Sequence, residues 1–146
     1  MFGLQADDTG VVDTAAMLDG SGTGYAEMFE WADGNPVGAD RRGLFVTLEG
    51  ERIRIAQRDD VILGVIAAAP AFTGGVIDPD SPAVPRSIRA DWAAVGLLGK
   101  LEALDDGSCV LGGLCGPGQW GLGTDSVQGY RVLRRVDENK VLICMK

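Results

Sequence analysis

GLFVTLEGERIRIAQ, residues 43–57, decides the fold class. Phe45 and Thr47 point to one side of an extended chain, and Leu44, Val46 and Leu48 to the other. Glu-Gly then reverses direction, and Ile53 and Ile55 alternate with Arg52 and Arg54. Side chains repeating every two residues on both sides of a turn whose glycine tolerates positive φ describe a β-hairpin.

The same grammar extends in both directions from this hairpin. VILGVIAAA, 61–69, is rich in β-branched residues and carries Gly64 mid-run, which predicts a strand buried on both faces with a bulge or a close backbone approach. WAAVGLLGKLEALDD, 92–106, has helical spacing in Trp92, Val95, Leu98 and Leu101 or Leu104. Gly96 and Gly99 would each cost about 1 kcal/mol inside a helix, so a strand or bulged strand is expected instead. CVLGGLCGPGQWGLGTDSVQGY, 109–130, suits short strands joined by tight turns, and GYRVLRRVDENKVLICMK, 129–146, suits a closing hairpin turning at Asp137-Glu138-Asn139. PAFTGGVIDPDSPAVPRSIR, 70–89, is proline-rich and reads as a long surface excursion. Residues 1–24 are dense in Gly, Asp, Ser and Thr and read as an extended arm. The expected fold is all-β: a compact barrel or sandwich of short antiparallel strands carrying an N-terminal arm.

A chain of 146 residues fits one domain. Its net charge of −8 repels a phosphate backbone or an anionic membrane surface, so neither nucleic acid nor membrane is an expected partner. No run approaches the roughly 20 apolar residues of a spanning helix. An apolar content of 46 % is high beside that charge and predicts apolar surface hidden in a core or between subunits.

There is no histidine, so neither a Ser-His-Asp triad nor a Cys-His pair can be assembled. Cys109, Cys115 and Cys144 fall short of the four N or S ligands of a structural zinc site and read as buried small hydrophobes or one optional disulfide; no metal and no cofactor is expected. Gly-rich GLGTDS, 121–126, lacks the lysine of a phosphate loop. The Arg41-Arg42 and Arg134-Arg135 pairs are expected to meet acids or a neighbouring subunit. Carboxylate chemistry remains. In SGTGYAEMFEWADGNP, 21–36, Glu27 and Glu30 lie among Tyr25, Phe29 and Trp31, where desolvation would raise a carboxyl's pKa as general acid–base work requires. On a strand Glu27 and Phe29 share one face and Glu30 takes the other, so only one of these acids is expected to enter any single site. The alternative is solvated acids beside an aromatic core cluster. Trp92, with the 70–89 excursion, offers a surface for a host glycan.

YAEMFEWADGNP, DRRGLFVTLEGERIRIA, DDVILGVIAAAP, VGLLGKLEALDDGSC, GGLC and GYRVLRRVDENKVLI occur in this order, and together they resemble the autoproteolytic, glutamic-peptidase-type intramolecular-chaperone domain at the C-terminus of phage pre-neck appendage and tail-spike proteins. The resemblance implies a chaperone-like β domain over 25–146 and an arm or cleavage segment over 1–24. It implies a homotrimer, virion structural proteins as partners and a virion location after synthesis in the host cytoplasm. It also implies Ser21 at the cut, with Glu27 and Glu30 as the assisting acids. The family commonly places Asp just before Tyr-Ala-Glu, where this chain has Gly24, so autocleavage is expected to be reduced or lost. With Met1 close ahead of the motif, a stand-alone structural component attached through its arm is expected.

Overall fold

The computed structural model describes residues 16–18, as backbone, and 23–146. It is a curled half-barrel of eleven strands, with no α-helix among the described residues and two short 3-10 turns at Arg86–Ile88 and Gln119–Gly121. The strands are β1 Ala16–Leu18, β2 Tyr25–Glu30, β3 Phe45–Glu49, β4 Arg52–Ile55, β5 Gly64–Ile66, β6 Phe72–Gly74, β7 Trp92–Leu104, β8 Leu114–Pro117, β9 Gly123–Ser126, β10 Tyr130–Asp137 and β11 Lys140–Met145.

The 43–57 hairpin forms as read, with Val46 opposite Ile55, Glu49 opposite Arg52, and Gly50 at φ +68° in the turn. Its first strand is buried on both sides: Phe45 enters one apolar cluster with Leu101, Val132 and Ile143, and Val46 enters a second with Trp31, Ile53 and Val95. β5 is buried likewise, Val65 in the first cluster and Ile66 in the second. The sheet therefore folds over itself around this layer.

β7 is the spine. Its first half pairs with β2 and β5, and its second half pairs with β11. The helical alternative fails at the glycines. Gly96 faces Val65, and a Cβ on it would lie 2.3 Å from Leu101 Cδ1; Gly99, at φ +103°, crosses Gly24 so closely that its Cβ would lie 2.8 Å from that Cα. Leu97 is left over as a bulge between the Tyr25–Leu98 and Ala26–Gly96 pairs, which turns the strand from one part of the sheet to the other.

One reading needs correction. The 70–89 segment is not surface excursion throughout: Phe72–Gly74 forms β6, inserted between β1 and β2, and Thr73, Gly74 and Val76 are buried. The strand pairs are antiparallel as expected, except that β6 runs parallel to β2. Residues 16–18 within the N-terminal segment pair with β6 as a strand. The C-terminal hairpin β10–β11 forms as expected, with register shifts that leave Leu133 and Val136 as extra residues.

Arg41 pairs with Asp33 and Arg42 with Asp40. The Arg42–Asp40 pair is exposed and contributes little, whereas the Arg41 side chain is mostly covered, its guanidinium 4.3 Å from the centroid of the Trp31 ring. Arg135 is different. It reaches across from β10 to Asp105, whose side chain is fully buried at the end of β7, through bonds of 3.1 and 2.8 Å from its two terminal nitrogens.

Candidate functional site

β2 carries the candidate acids, and its alternation sorts them. Ala26 and Met28 point into the core, while Tyr25, Glu27 and Phe29 line the partly exposed face. Tyr25 stands directly beside Phe72 of β6, and the rings stack with centroids 5.2 Å apart. Two residues on, Glu27 stands beside Gly74. A Cβ on Gly74 would lie 2.7 Å from Glu27 Oε1, and one on Gly75 would lie 3.2 Å from Oε2, so these glycines make the room the carboxylate occupies. The Tyr25 hydroxyl donates to Glu27 Oε1. That bond, with burial and the carboxylate charge, raises the Tyr25 pKa above its ordinary value and keeps the phenol a donor at neutral pH.

Glu27 is thus fixed by a phenol that is itself fixed by an aromatic stack. A carboxylate so oriented, with a remaining oxygen free of that bond, can accept a proton or hold a donor at a defined point.

Glu30 serves a different purpose. It accepts from Arg52 Nε at 3.3 Å in an ion pair of which both side chains are more than a third exposed. Alternation keeps Glu30 out of contact with the Tyr25–Glu27 pair, yet both acids border one open groove of about 470 Å³ along with Phe29, Leu48, Arg86 and Trp92. The groove bears on the glycan reading, because the Arg86 guanidinium already covers the Trp92 ring, 4.1 Å from its centroid.

Ser21 lies outside the described residues. The chain that follows it is clamped: Thr23 N–H donates to Ala69 O, Thr23 Oγ1 donates to Lys100 O at 2.9 Å, and Ala71 N–H donates to Thr23 O. Gly24 sits at φ +80°, where a Cβ would lie 3.0 Å from Leu98 O and 3.1 Å from Leu101 Cδ2. The crossing with Gly99 gives a physical reason for glycine at this position, and any side chain here would be strained.

The sequence singles out Glu27 as a candidate acid but not the residues that surround it. In the sequence Tyr25 stands among the aromatics, whereas in the structure its hydroxyl makes the contact. Gly74 and Gly75 fall within the 70–89 segment that reads as a surface excursion. Their adjacency in TGG beside an aromatic was the available signal, though only the parallel β2–β6 pairing gives it meaning.

Comparison with known proteins bears on the same segment. The family model described as Peptidase_G2, IMC autoproteolytic cleavage domain, matches residues 4–77, which contain Ser21, Glu27 and Glu30. The pre-neck appendage protein of Bacillus phage phi29 is 29 % identical over 120 residues, and the preneck appendage protein of Bacillus phage PZA is 28 % identical over 121 residues. Each match takes in 56 % of this chain and only 14 % of the relative's length. The crystal structure of the phi29 gene product 12 C-terminal fragment superposes with a TM-score of 0.69 at 24 % identity, covering 84 % of this chain and 99 % of the fragment. The pre-mature form of the same gene product gives 0.71 at 24 % identity, over 85 % of this chain and 21 % of that one.

Proposed function

The chain belongs to the Peptidase_G2 family of IMC autoproteolytic cleavage domains, and on that premise we propose that it is a structural component of a phage virion appendage. The observation that carries this reading is the likeness to the pre-neck appendage proteins of phages phi29 and PZA, and the fold shared with nearly the whole of the phi29 gene product 12 C-terminal fragment agrees with it. In this reading the β domain associates as a homotrimer, and the N-terminal segment attaches it to other virion proteins. It is made in the host cytoplasm and resides on the particle.

The surface supports association. Val37, Val61, Leu111, Trp120 and Val127 are large apolar side chains at least 74 % exposed on a chain of net charge −8, and contact between copies would remove such groups from water. Removing residues 1–15, which precede β1, is expected to leave the oligomer intact and abolish attachment to particles. A truncated protein that still decorates particles would show that attachment lies elsewhere.

The Tyr25–Glu27 pair favours a second reading, self-cleavage at Ser21 with Glu27 assisting and Glu30 in support. Gly24 in place of the family's acid argues for a reduced or lost reaction. Intact mass after prolonged incubation separates the two. The structural reading expects an uncut 15.3 kDa chain. A cut at Ser21 that slows by about 10²–10⁴-fold in Glu27→Gln would establish the peptidase instead.

A further inference from the structure

Cys109 and Cys115 bracket a short loop whose two ends are held against one strand. Gly113 N–H donates to Val110 O to close a turn, Gly112 N–H donates to Val132 O, and Val132 N–H donates to Gly113 O. Cys109 is anchored at its own backbone, its N–H donating to Asp105 Oδ2 at 3.2 Å and its carbonyl accepting from Arg135 Nη2 at 2.7 Å. Cys115 is anchored by β8, opposite Tyr130 on β10 and Asp125 on β9. Both side chains enter the same apolar cluster as Val132 and Ile143, at 4 % and 0 % exposure. Gly123 lies against Cys115 on another side: a Cβ on it would come within 2.5 Å of the sulfur. Both cysteines are free thiols, as is the less buried Cys144.

We propose that Cys109 and Cys115 form a latent disulfide staple, closed by thiol–disulfide exchange with a small-molecule disulfide such as oxidised glutathione. One protein thiolate attacks a glutathione sulfur, the glutathione S–S bond breaks, and one glutathione thiolate leaves. The second protein thiolate attacks the protein sulfur of this mixed disulfide and expels the other glutathione. Two protein thiols are oxidised, one glutathione disulfide is reduced, and the two protons released end on the two glutathione thiols. The loop 109–115 that carries the exposed Val110 and Leu111 becomes covalently closed.

The surroundings make closure slow in the folded chain. Burial pushes the Cys115 thiol up to about 11 and the Cys109 thiol higher still, with the Asp105 carboxylate adding to both, so attacking thiolate is scarce. A pair of this kind stays reduced in a reducing cytoplasm and closes in an oxidising medium. The bridge itself does not depend on the appendage reading.

The test incubates the full chain with oxidised glutathione, once as the native protein and once during refolding from denaturant, followed by peptide mapping. The expected product loses two hydrogens, links Cys109 to Cys115, leaves Cys144 out of the bridge and melts about 5 °C higher than the reduced chain. Cys144→Ser is expected to retain the bridge and Cys109→Ser to lack it. Closure in the refolded sample alone also supports the proposal, since burial then sets the rate. Refolded protein that keeps both thiols free or glutathione-capped, or that links either of them to Cys144, overturns it. If refolding fails, full chain expressed in an oxidising compartment, where it folds in the presence of disulfide, is mapped in its place and decides by the same criteria.

Discussion

Replacing Arg135, whose side chain is a third exposed, with Met is expected to destabilise the fold by about 2–3 kcal/mol, read as a lowered midpoint in urea. Methionine keeps much of the length and removes the charge. Asp105 is fully buried, and its carboxylate is held by both terminal nitrogens of Arg135 and by the Cys109 N–H. Burial alone would push this carboxyl up. The Arg135 and Cys109 donors outweigh burial and hold it below its ordinary value of 3.8.

The sign of the pH dependence follows from that balance. In the parent chain Asp105 binds protons less readily folded than unfolded. Its stabilisation is present above about pH 4 and is lost as pH falls through the lower folded value. In Arg135→Met only burial and the Cys109 donor remain, the folded value moves above the unfolded one, and stability now falls as pH rises from about 4 toward neutrality. The difference between parent and variant should therefore shrink on acidification. A loss below about 1 kcal/mol that does not change with pH would show that Asp105 is not the acid this pair sustains.

Gly64→Ala should cost about 3 kcal/mol, at the top of the range for overpacking. The obstacle is backbone: the added Cβ would lie 2.1 Å from Gly96 O and 2.8 Å from Val95 Cγ1. A flexible side chain could move aside, but the Gly96 carbonyl lies on β7, beside its pairing with Val65. Gly50→Ala is the control. Nothing lies within 4 Å of its Cβ, and only its φ of +68° opposes the change, so about 1 kcal/mol is expected. Equal losses at the two positions, measured by thermal or urea unfolding, would mean that the β5–β7 approach is not what requires glycine.

These two positions also mark where the sequence was legible. Gly64 inside an apolar run pointed to a bulge or a close approach, of which the structure shows the approach to Gly96, and Gly96 and Gly99 argued correctly against a helix in 92–106. The 43–57 and 129–146 hairpins were legible because their period of two and their turns lie within one short window. Asp105 was not, since LDDG reads as a turn and its partner stands on another strand, thirty residues away in the chain. β6 was hidden for a similar reason: Phe72–Gly74 sits in proline-rich surroundings, and its strand character comes from pairing with β1 and β2 rather than from its own propensity. At the candidate site the acid Glu27 was visible, whereas the tyrosine and glycines that shape its surroundings depend on a parallel register no local pattern encodes.

Sedimentation equilibrium of the purified chain across micromolar concentrations tests the appendage reading most directly, since acidic copies with exposed apolar side chains are held to meet as three. A mass three times the 15.3 kDa of one chain is the expected result. A single 15.3 kDa species at every concentration would contradict it.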